Sequence, residues 1–329
     1  MISAARGRRG SLLVMTLWTV AILGMLTVAV AHQLALQIRV SRYRVARLQA
    51  QAAARGGVTV AMEQLTQDAK NPDQAADWLG EQWASGPGAA GQPSDGGWTW
   101  VVPRGDDTES KNATIVTVRI ADEDGKLNLN RLEDPVVYES FTRLMGSADQ
   151  VDLAADYIDA DSEPRPSGLE DAEMPVLYRA KNAPAATLAE LGLIPGMRAE
   201  TLADLARYAS VSLAVESKVN INTASREVLA AMNVPSLVLE GIIAFREQNH
   251  YFTALSPEVT ADTPVPFDTG IPEFVAVVDR LGVVSQTFTV TSEAVVQNPE
   301  VRVRVEAVVR RAGCGQGMPE PCIVSWSES

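Results

Sequence analysis

The sequence predicts an α+β protein with one long N-terminal transmembrane helix, an antiparallel β-sheet and a large α-helical domain inserted in that sheet. Three observations indicate this organisation. An apolar run near the N-terminus continues into a proline-free helical pattern, strand-like segments occur on both sides of the middle of the chain, and residues 128–280 between them are mostly helical in pattern. A helical block between two parts of one sheet is typical of an insertion.

The N-terminal helix is predicted from charge and length. Residues 11–31 form a run of 21 residues without a charged side chain. A helix of that length crosses a hydrocarbon core of about 30 Å. Residues 32–70 continue the helix with an apolar stripe that would pack on a soluble body. A secretory signal peptide cleaved near Ala31 is an alternative, because AVAVAH resembles a small-x-small cleavage site.

Charge divides the chain into two parts. Residues 1–55 hold eight arginines and no acidic residue, whereas the rest holds 20 basic and 41 acidic residues. The part of the chain after residue 55 is therefore strongly negative. It repels nucleic-acid phosphate and favours the binding of cations or basic partners. The chain has only two cysteines and two histidines. So few cysteines and histidines argue against a zinc site and against Ser-His or Cys-His catalysis. We therefore predict that the protein is not an enzyme.

The soluble part is predicted in three sections. Residues 71–127 form the first part of the β domain, with a short helix around 74–84 and strands at 98–103 and 113–122. Residues 128–280 form the inserted helical domain. Residues 281–329 hold the C-terminal strands at 281–296, 300–312 and 322–327, and the Gln297-Asn298-Pro299 break makes the first two a hairpin.

One stretch, residues 156–173, is dense in acidic side chains. Hard oxygen ligands on a loop that contains proline and glycine suit calcium, although the spacing is not that of an EF-hand. The alternative is a solvated loop whose acids cap helices and pair with Arg165 and Arg179. A catalytic carboxylate pair is a third interpretation, which nothing else in the chain supports. The candidate calcium ligands are Asp159, Asp161, Glu163, Glu170 and Asp171.

A weak internal repeat relates residues 180–208 to residues 218–248, and the second unit resembles a helix-hairpin-helix module. DNA-binding hairpins need glycines at which backbone N–H groups meet phosphate. The second unit has no glycine between its helices, and basic residues are sparse. Packing and partner contact are therefore favoured over DNA binding.

The N-terminus also resembles a type IV pilin-like leader, because Arg8-Arg9-Gly10 precedes the apolar run. The resemblance implies that residues 1–10 are a leader removed by a prepilin peptidase after Gly10. Ser11 would become the N-methylated N-terminus. Most members carry Glu at the fifth mature position, where this chain has Met15. That departure fits a tip subunit with no subunit above it, because an unpaired charge in an apolar bundle is costly.

Four further segments resemble the K-type minor pseudopilin of type II secretion systems, GspK. They are GKLNLNRL (125–132), YIDADSEPRPSGLED (157–171), YRAKNAPAATLAELGLIPGM (178–197) and VNINTASREVLAAM (219–232). The resemblance implies a type IV pilin-like fold and a place at the tip of a periplasmic pseudopilus. The implied partners are the I-type and J-type minor pseudopilins and the inner-membrane secretion platform. Calcium binding in the inserted domain is also implied.

The implied location is the bacterial inner membrane, with a single span, a cytoplasmic N-terminus and a periplasmic body. In the oxidising periplasm a disulfide between Cys314 and Cys322 is expected, whereas a cytoplasmic body would keep two thiols. The implied role is to start pseudopilus assembly and so to help export folded proteins. A minor pilin of a type IV pilus or competence system and a membrane-tethered helix-hairpin-helix DNA-binding protein are the alternatives.

Overall fold

The computed structural model describes residues 9–71, 76–86, 97–102, 113–171, 178–212, 218–255, 259–311 and 321–329. In chain order its helices are α1 (Arg9–Ala69), α2 (Gln82–Ser85), α3 (Pro135–Met145), α4 (Ala148–Ile158), α5 (Ala199–Tyr208), α6 (Arg226–Ala231), α7 (Ser236–Glu247) and α8 (Pro272–Val278). Short 3-10 helices lie at Leu129–Arg131 and Leu188–Leu193. The strands are β1 (Trp98–Val102), β2 (Thr114–Asp122), β3 (Leu127–Asn128), β4 (Ala209–Ser210), β5 (Val219–Asn220), β6 (Phe252–Ala254), β7 (Thr260–Ala261), β8 (Leu281–Gly282), β9 (Thr287–Gln297), β10 (Glu300–Arg310) and β11 (Cys322–Glu328).

Helix α1 has an exposed first half and a second half that packs on the sheet. Its 61 residues extend about 90 Å. Every side chain from Leu12 to Val45 is exposed. Buried positions then recur every three or four residues, at Ala46, Ala50, Ala54, Val58, Ala61 and Leu65. This spacing places one face on the sheet. By length and apolar composition, Leu12–Ala69 is the single helix among the described residues that could cross a membrane.

The main sheet has the order β1-β2-β9-β10-β11, and every neighbouring pair is antiparallel. Strands β9 and β10 form the predicted hairpin, in which Gln297 pairs with Glu300. Side chains alternate along β2, so that Val116, Val118 and Ile120 face the same core. This core joins the small residues of α1 to the valines of β2, β9 and β10. Small helix residues let the helix backbone approach the sheet closely.

The helical domain lies between two strands that are neighbours in the sheet, β2 and β9. Its own core runs from Leu127 to Leu281 and includes Phe141, Leu205 and Phe274. Short two-stranded pairings, β3 with β4, β5 with β8 and β6 with β7, tie the loops of this domain together. The α+β architecture with a helical insertion is thus confirmed.

The predicted elements differ from the structure at four places. The helix predicted around 74–84 is wrong in its described part, because residues 76–81 form turns and α2 begins only at Gln82. Distant partners replace local helical bonds there: the Asp77 N–H donates to the Val283 carbonyl at 2.7 Å. The spacing of apolar residues over 187–194 predicts an α-helix, but the structure has a 3-10 helix there at Leu188–Leu193, and no pattern predicted α8. Finally, the strand predicted over 281–296 is broken after Gly282.

Candidate functional site

The candidate site lies at the C-terminal end of α4, in residues 156–171, which we call the acidic loop. Residues 150–158 of α4 are all buried, and Asp159 caps the helix in an extended conformation. Carboxylates at the end of a helix face the negative end of its dipole. The position therefore disfavours unpaired acids and favours a cation.

Three of the predicted ligands converge. One carboxylate oxygen from each of Asp159, Asp161 and Glu170 lies within 4.8 Å of the others. Asp159 Oδ1 and Glu170 Oε1 are buried and have no hydrogen-bond partner. A buried carboxylate oxygen without a donor is costly unless a cation meets it. The donor set is the all-oxygen kind that calcium takes, and three carboxylates would supply part of its six to eight oxygens.

The two other predicted ligands are outside this group. The Glu163 side chain is exposed, and its backbone N–H donates to Asp161 Oδ1 at 2.8 Å. Asp171 pairs with Arg179 at 2.5 Å and accepts the Ala180 N–H at 3.1 Å. The pairing of loop acids with Arg165 and Arg179, weighed above as an alternative, is therefore present beside the convergent carboxylates.

Arg165 is the nearest protein cation, and it holds the loop against α4. Its backbone N–H donates to Asp156 Oδ2 at 3.1 Å, and its side chain lies 3.6 Å from Asp156 and 3.7 Å from Asp159. Its guanidinium lies over the Tyr138 ring, 5.3 Å from the centroid. One guanidinium does not balance the carboxylates that surround it, so the loop keeps an excess of negative charge.

The directions in which the pKa values of the loop carboxylates shift agree with this excess of negative charge. Burial raises the pKa of Asp159, and repulsion by Asp161 and Asp156 raises it further. Burial likewise raises the pKa of Glu170, with repulsion by Asp156 and Asp159 as the next causes. Each of these carboxylates is therefore harder to ionise in the folded chain than in water. A bound cation would offset this effect, as expected of carboxylates that form a cation site.

Asp152 and Gly168 position the loop, and neither was predicted from the sequence. Asp152 accepts the Tyr138 hydroxyl at 2.6 Å and the Ser167 N–H at 3.1 Å. A Cβ at Gly168 would overlap the Asp156 carboxylate, so the loop backbone needs glycine at this approach. The four-residue spacing of Asp152 and Asp156, which places both on one face of α4, is the signal that could have indicated Asp152.

A second acidic group joins Asp68, Asp77 and Glu81 where α1 ends, and it already contains a cation. Arg311 Nη2 lies 2.7 Å from Asp68 Oδ2 and 2.7 Å from Asp77 Oδ1. The Arg311 side chain is only 8% exposed. This group is therefore a buried ion-pair network between α1, the segment before α2 and the end of β10. No local motif indicates it, because Asp68 and Arg311 are 243 positions apart.

The N-terminal processing residues lie at the start of α1. The helix begins at Arg9, so Gly10 and Ser11 are in its first turn. Met15 is 66% exposed on the free half of the helix. Cleavage after Gly10 stays a prediction. Cys322 begins β11, but Cys314 lies outside the described residues, so the disulfide also stays a prediction.

Comparisons with known proteins agree with this architecture. Residues 125–213 match the family model of the type II secretion system (T2SS), protein K. The fold is similar to a chain in the crystal structure of the GspK-GspI-GspJ complex from enterotoxigenic Escherichia coli, with a TM-score of 0.64 and 18% sequence identity. That similarity covers 88% of this chain and 99% of the other. No curated protein matches the sequence. Residues 125–213 thus match a domain of the type II secretion system protein K family, and the pilin-like fold that carries this domain is similar to that of the Escherichia coli chain.

Proposed function

We propose that this protein is anchored in the inner membrane by α1 and stands at the tip of the type II secretion pseudopilus. Its body would lie in the periplasm and bind the I-type and J-type minor pseudopilins. The protein K domain at residues 125–213 is the observation that carries the proposal. The similar Escherichia coli chain was solved in a complex of K, I and J proteins, which supports the choice of partners.

The proposed topology depends on processing. Cleavage after Gly10 by a prepilin peptidase would leave Ser11 as the methylated N-terminus. The short leader would stay in the cytoplasm, and the apolar half of α1 would stay in the membrane. The exposure of the large apolar side chains from Leu12 to Ile38 supports this, because an apolar surface of that length requires lipid or neighbouring helices.

The proposed role is structural rather than catalytic: the protein would help to start pseudopilus assembly and so the export of folded proteins. Met15 supports a tip position, since this helix carries no carboxylate at the fifth mature position for a subunit above. The large insertion between β2 and β9 adds bulk to one end of the body, which would hinder stacking of another subunit. Met15→Glu tests the charge argument, because identical assembly and secretion by the variant would remove it.

Calcium in the acidic loop is part of the proposal. Asp159, Asp161 and Glu170 would hold the ion, and the ion would supply the positive charge that Arg165 alone does not. The ion would thereby fix the loop on α4. Calcium should raise the melting temperature of the wild type relative to chelator, and Asp159→Asn with Glu170→Gln should abolish the rise. Asp171→Asn is the matched control, because Asp171 pairs with Arg179 instead.

The tip proposal is tested by co-purification with the I-type and J-type pseudopilins of the same genome, with and without chelator. A stoichiometric ternary complex supports the tip position, and its loss in chelator assigns the ion a structural role in assembly. Absence of a complex in both conditions contradicts the proposal and favours a minor pilin of another system. Salt-dependent binding of duplex DNA would favour the helix-hairpin-helix alternative.

A further inference from the structure

Four arginines form a band on α1 between its apolar half and the body. They are Arg39, Arg42, Arg44 and Arg47, which we call the arginine band. All four side chains are exposed. In the described residues none of them has an acidic partner, whereas the exposed Arg55 further along α1 pairs with Glu328 at 2.9 Å. Within the part of the chain that the structure describes, the band is therefore uncompensated positive charge.

The position of the band along the helix matches a membrane surface. Residues 11–38 are 28 residues without Asp, Glu, Lys or Arg. At about 1.5 Å per residue they extend about 42 Å, the thickness of a bilayer with both headgroup layers. Arg39 follows immediately, and Ala46, just before Arg47, is the first residue of α1 that is buried against the body. The band thus lies where the helix leaves the headgroups and begins to contact the sheet.

The distribution of the band around the helix favours a surface over a single protein partner. At 3.6 residues per turn the four arginines cover roughly 200° of the helix circumference. They lie within about 12 Å along the helix axis. A partner helix would contact one face, whereas a headgroup layer surrounds the helix. Tyr43, which is 55% exposed within the band, is a residue type that is enriched at membrane interfaces.

The net negative charge of the body indicates a role for the arginine band at the membrane. The residues after 55 hold 20 basic and 41 acidic side chains, so the body is repelled by an anionic membrane surface. Arginines next to the membrane attract anionic lipid and are effective within a Debye length of about 8–10 Å. The band lies between the two negative surfaces and offsets their repulsion.

We propose that the arginine band binds the headgroups of anionic phospholipids on the side of the membrane that faces the body. This inference rests on the proposed membrane anchoring of α1. The bound headgroups would set the depth of the helix and hold the acidic body near the membrane. They would have to be released when the helix leaves the bilayer for a fibre.

The test measures lipid selectivity around the full chain. The protein is reconstituted in phosphatidylcholine vesicles that contain spin-labelled phosphatidylglycerol or spin-labelled phosphatidylcholine, and the motionally restricted lipid fraction is compared by electron paramagnetic resonance. We expect the wild type to prefer phosphatidylglycerol by about threefold or more at low salt, and the preference to fall as salt screens the charges.

Two variants and one control show whether the positive charge of the arginine band causes the lipid preference. Replacing all four arginines by glutamine (Arg→Gln) should bring the preference close to one, whereas replacing all four by lysine (Arg→Lys) should keep it, because charge and not guanidinium geometry is required. The control carries Arg302→Gln and Arg304→Gln, which remove two exposed arginines of β10 and should leave the preference unchanged.

Each contrary outcome has a distinct meaning. Release of the full chain from vesicles by alkaline carbonate would contradict the membrane anchoring and this inference together. Stable integration without a phosphatidylglycerol preference would overturn this inference alone. A glutamine variant that keeps the lipid preference but no longer co-purifies with other pseudopilins would also overturn it, because the band would then bind protein.

Discussion

The Ser285 hydroxyl donates a hydrogen bond of 2.6 Å to Asp122 Oδ2 and so joins the two ends of the helical insertion. Asp122 is the last residue of β2, and Ser285 lies just before β9 begins at Thr287. The same carboxylate oxygen accepts the Thr223 hydroxyl at 2.5 Å and an Asn220 Nδ2–H at 3.2 Å. Asp122 is 8% exposed, so the neck of the insertion is held by a buried polar network.

Asp122→Ala should destabilise the protein by about 2–4 kcal/mol, because it leaves buried hydroxyl and amide donors without an acceptor. Thermal or urea unfolding of the detergent-solubilised full chain measures the loss. Ser285→Ala removes the hydroxyl that donates to Asp122 and accepts from Asn220 Nδ2, which keeps other acceptors, and should cost about 1 kcal/mol. Equal stability of Asp122→Ala and the wild type would show that the network does not hold the neck.

Adjacent glycines of α1 offer a matched pair. A Cβ at Gly57 would lie 2.9 Å from Val118 Cγ2 and would overlap Ser292 Oγ, whereas a Cβ at Gly56 would have nothing within 4 Å. Gly57→Ala should therefore cost about 1–3 kcal/mol through overpacking. Gly56→Ala should stabilise the helix by up to about 1 kcal/mol. Opposite shifts of the melting temperature are expected, and shifts of the same sign would contradict the close approach of α1 to the sheet.

Gly168→Ala should weaken calcium binding by about tenfold or more, because the added methyl group displaces the loop from the Asp156 carboxylate and moves the ligands. Calcium titration followed by calorimetry measures the affinity. Gly192→Ala serves as the control, since a Cβ there meets only Leu202 Cδ1 at 3.5 Å. An unchanged affinity in Gly168→Ala would place the ion elsewhere.

Glu81 should make stability depend on pH. Burial raises the pKa of Glu81 to about 8, and repulsion by Asp68 and Asp77 adds to the shift. The folded chain therefore holds a proton that the unfolded chain releases. The associated stability is complete below pH 4.5, the usual pKa of Glu, and is lost as the pH rises through about 8.

The measurement is the melting temperature of the full chain from about pH 5 to about pH 9, which should decline for the wild type. Glu81→Gln keeps an acceptor for the Trp83 Nε1–H, which Glu81 binds at 2.6 Å, and should flatten the decline. Glu63→Gln, at an exposed position of α1, should follow the wild type. A wild-type curve that rises with pH would contradict the assigned direction.

Much of the fold was predictable because the spacing of apolar residues along the chain indicates helices and strands. The apolar run and the absence of proline predicted α1, and alternation predicted β2, β10 and β11 within a few residues, whereas β9 begins six residues later than predicted. The hairpin turn at Asn298-Pro299 was predictable for the same reason. The candidate site was predictable only in part: composition indicated the acidic loop but not that Asp159, Asp161 and Glu170 would converge while Asp171 would pair with Arg179.

The sequence by itself determined the long helix, the strand pattern, the insertion and the resemblance to protein K of type II secretion systems, because each depends on residues close together in the chain. Only the tertiary structure decided the neck at Asp122 and Ser285, the network of Arg311 with Asp68 and Asp77, and which carboxylates of the acidic loop converge. These depend on distant residues that meet in a buried place. Burial removes a charged side chain from water at a cost in free energy. The role of such a side chain therefore depends on the partner that it meets, and not on its residue type alone.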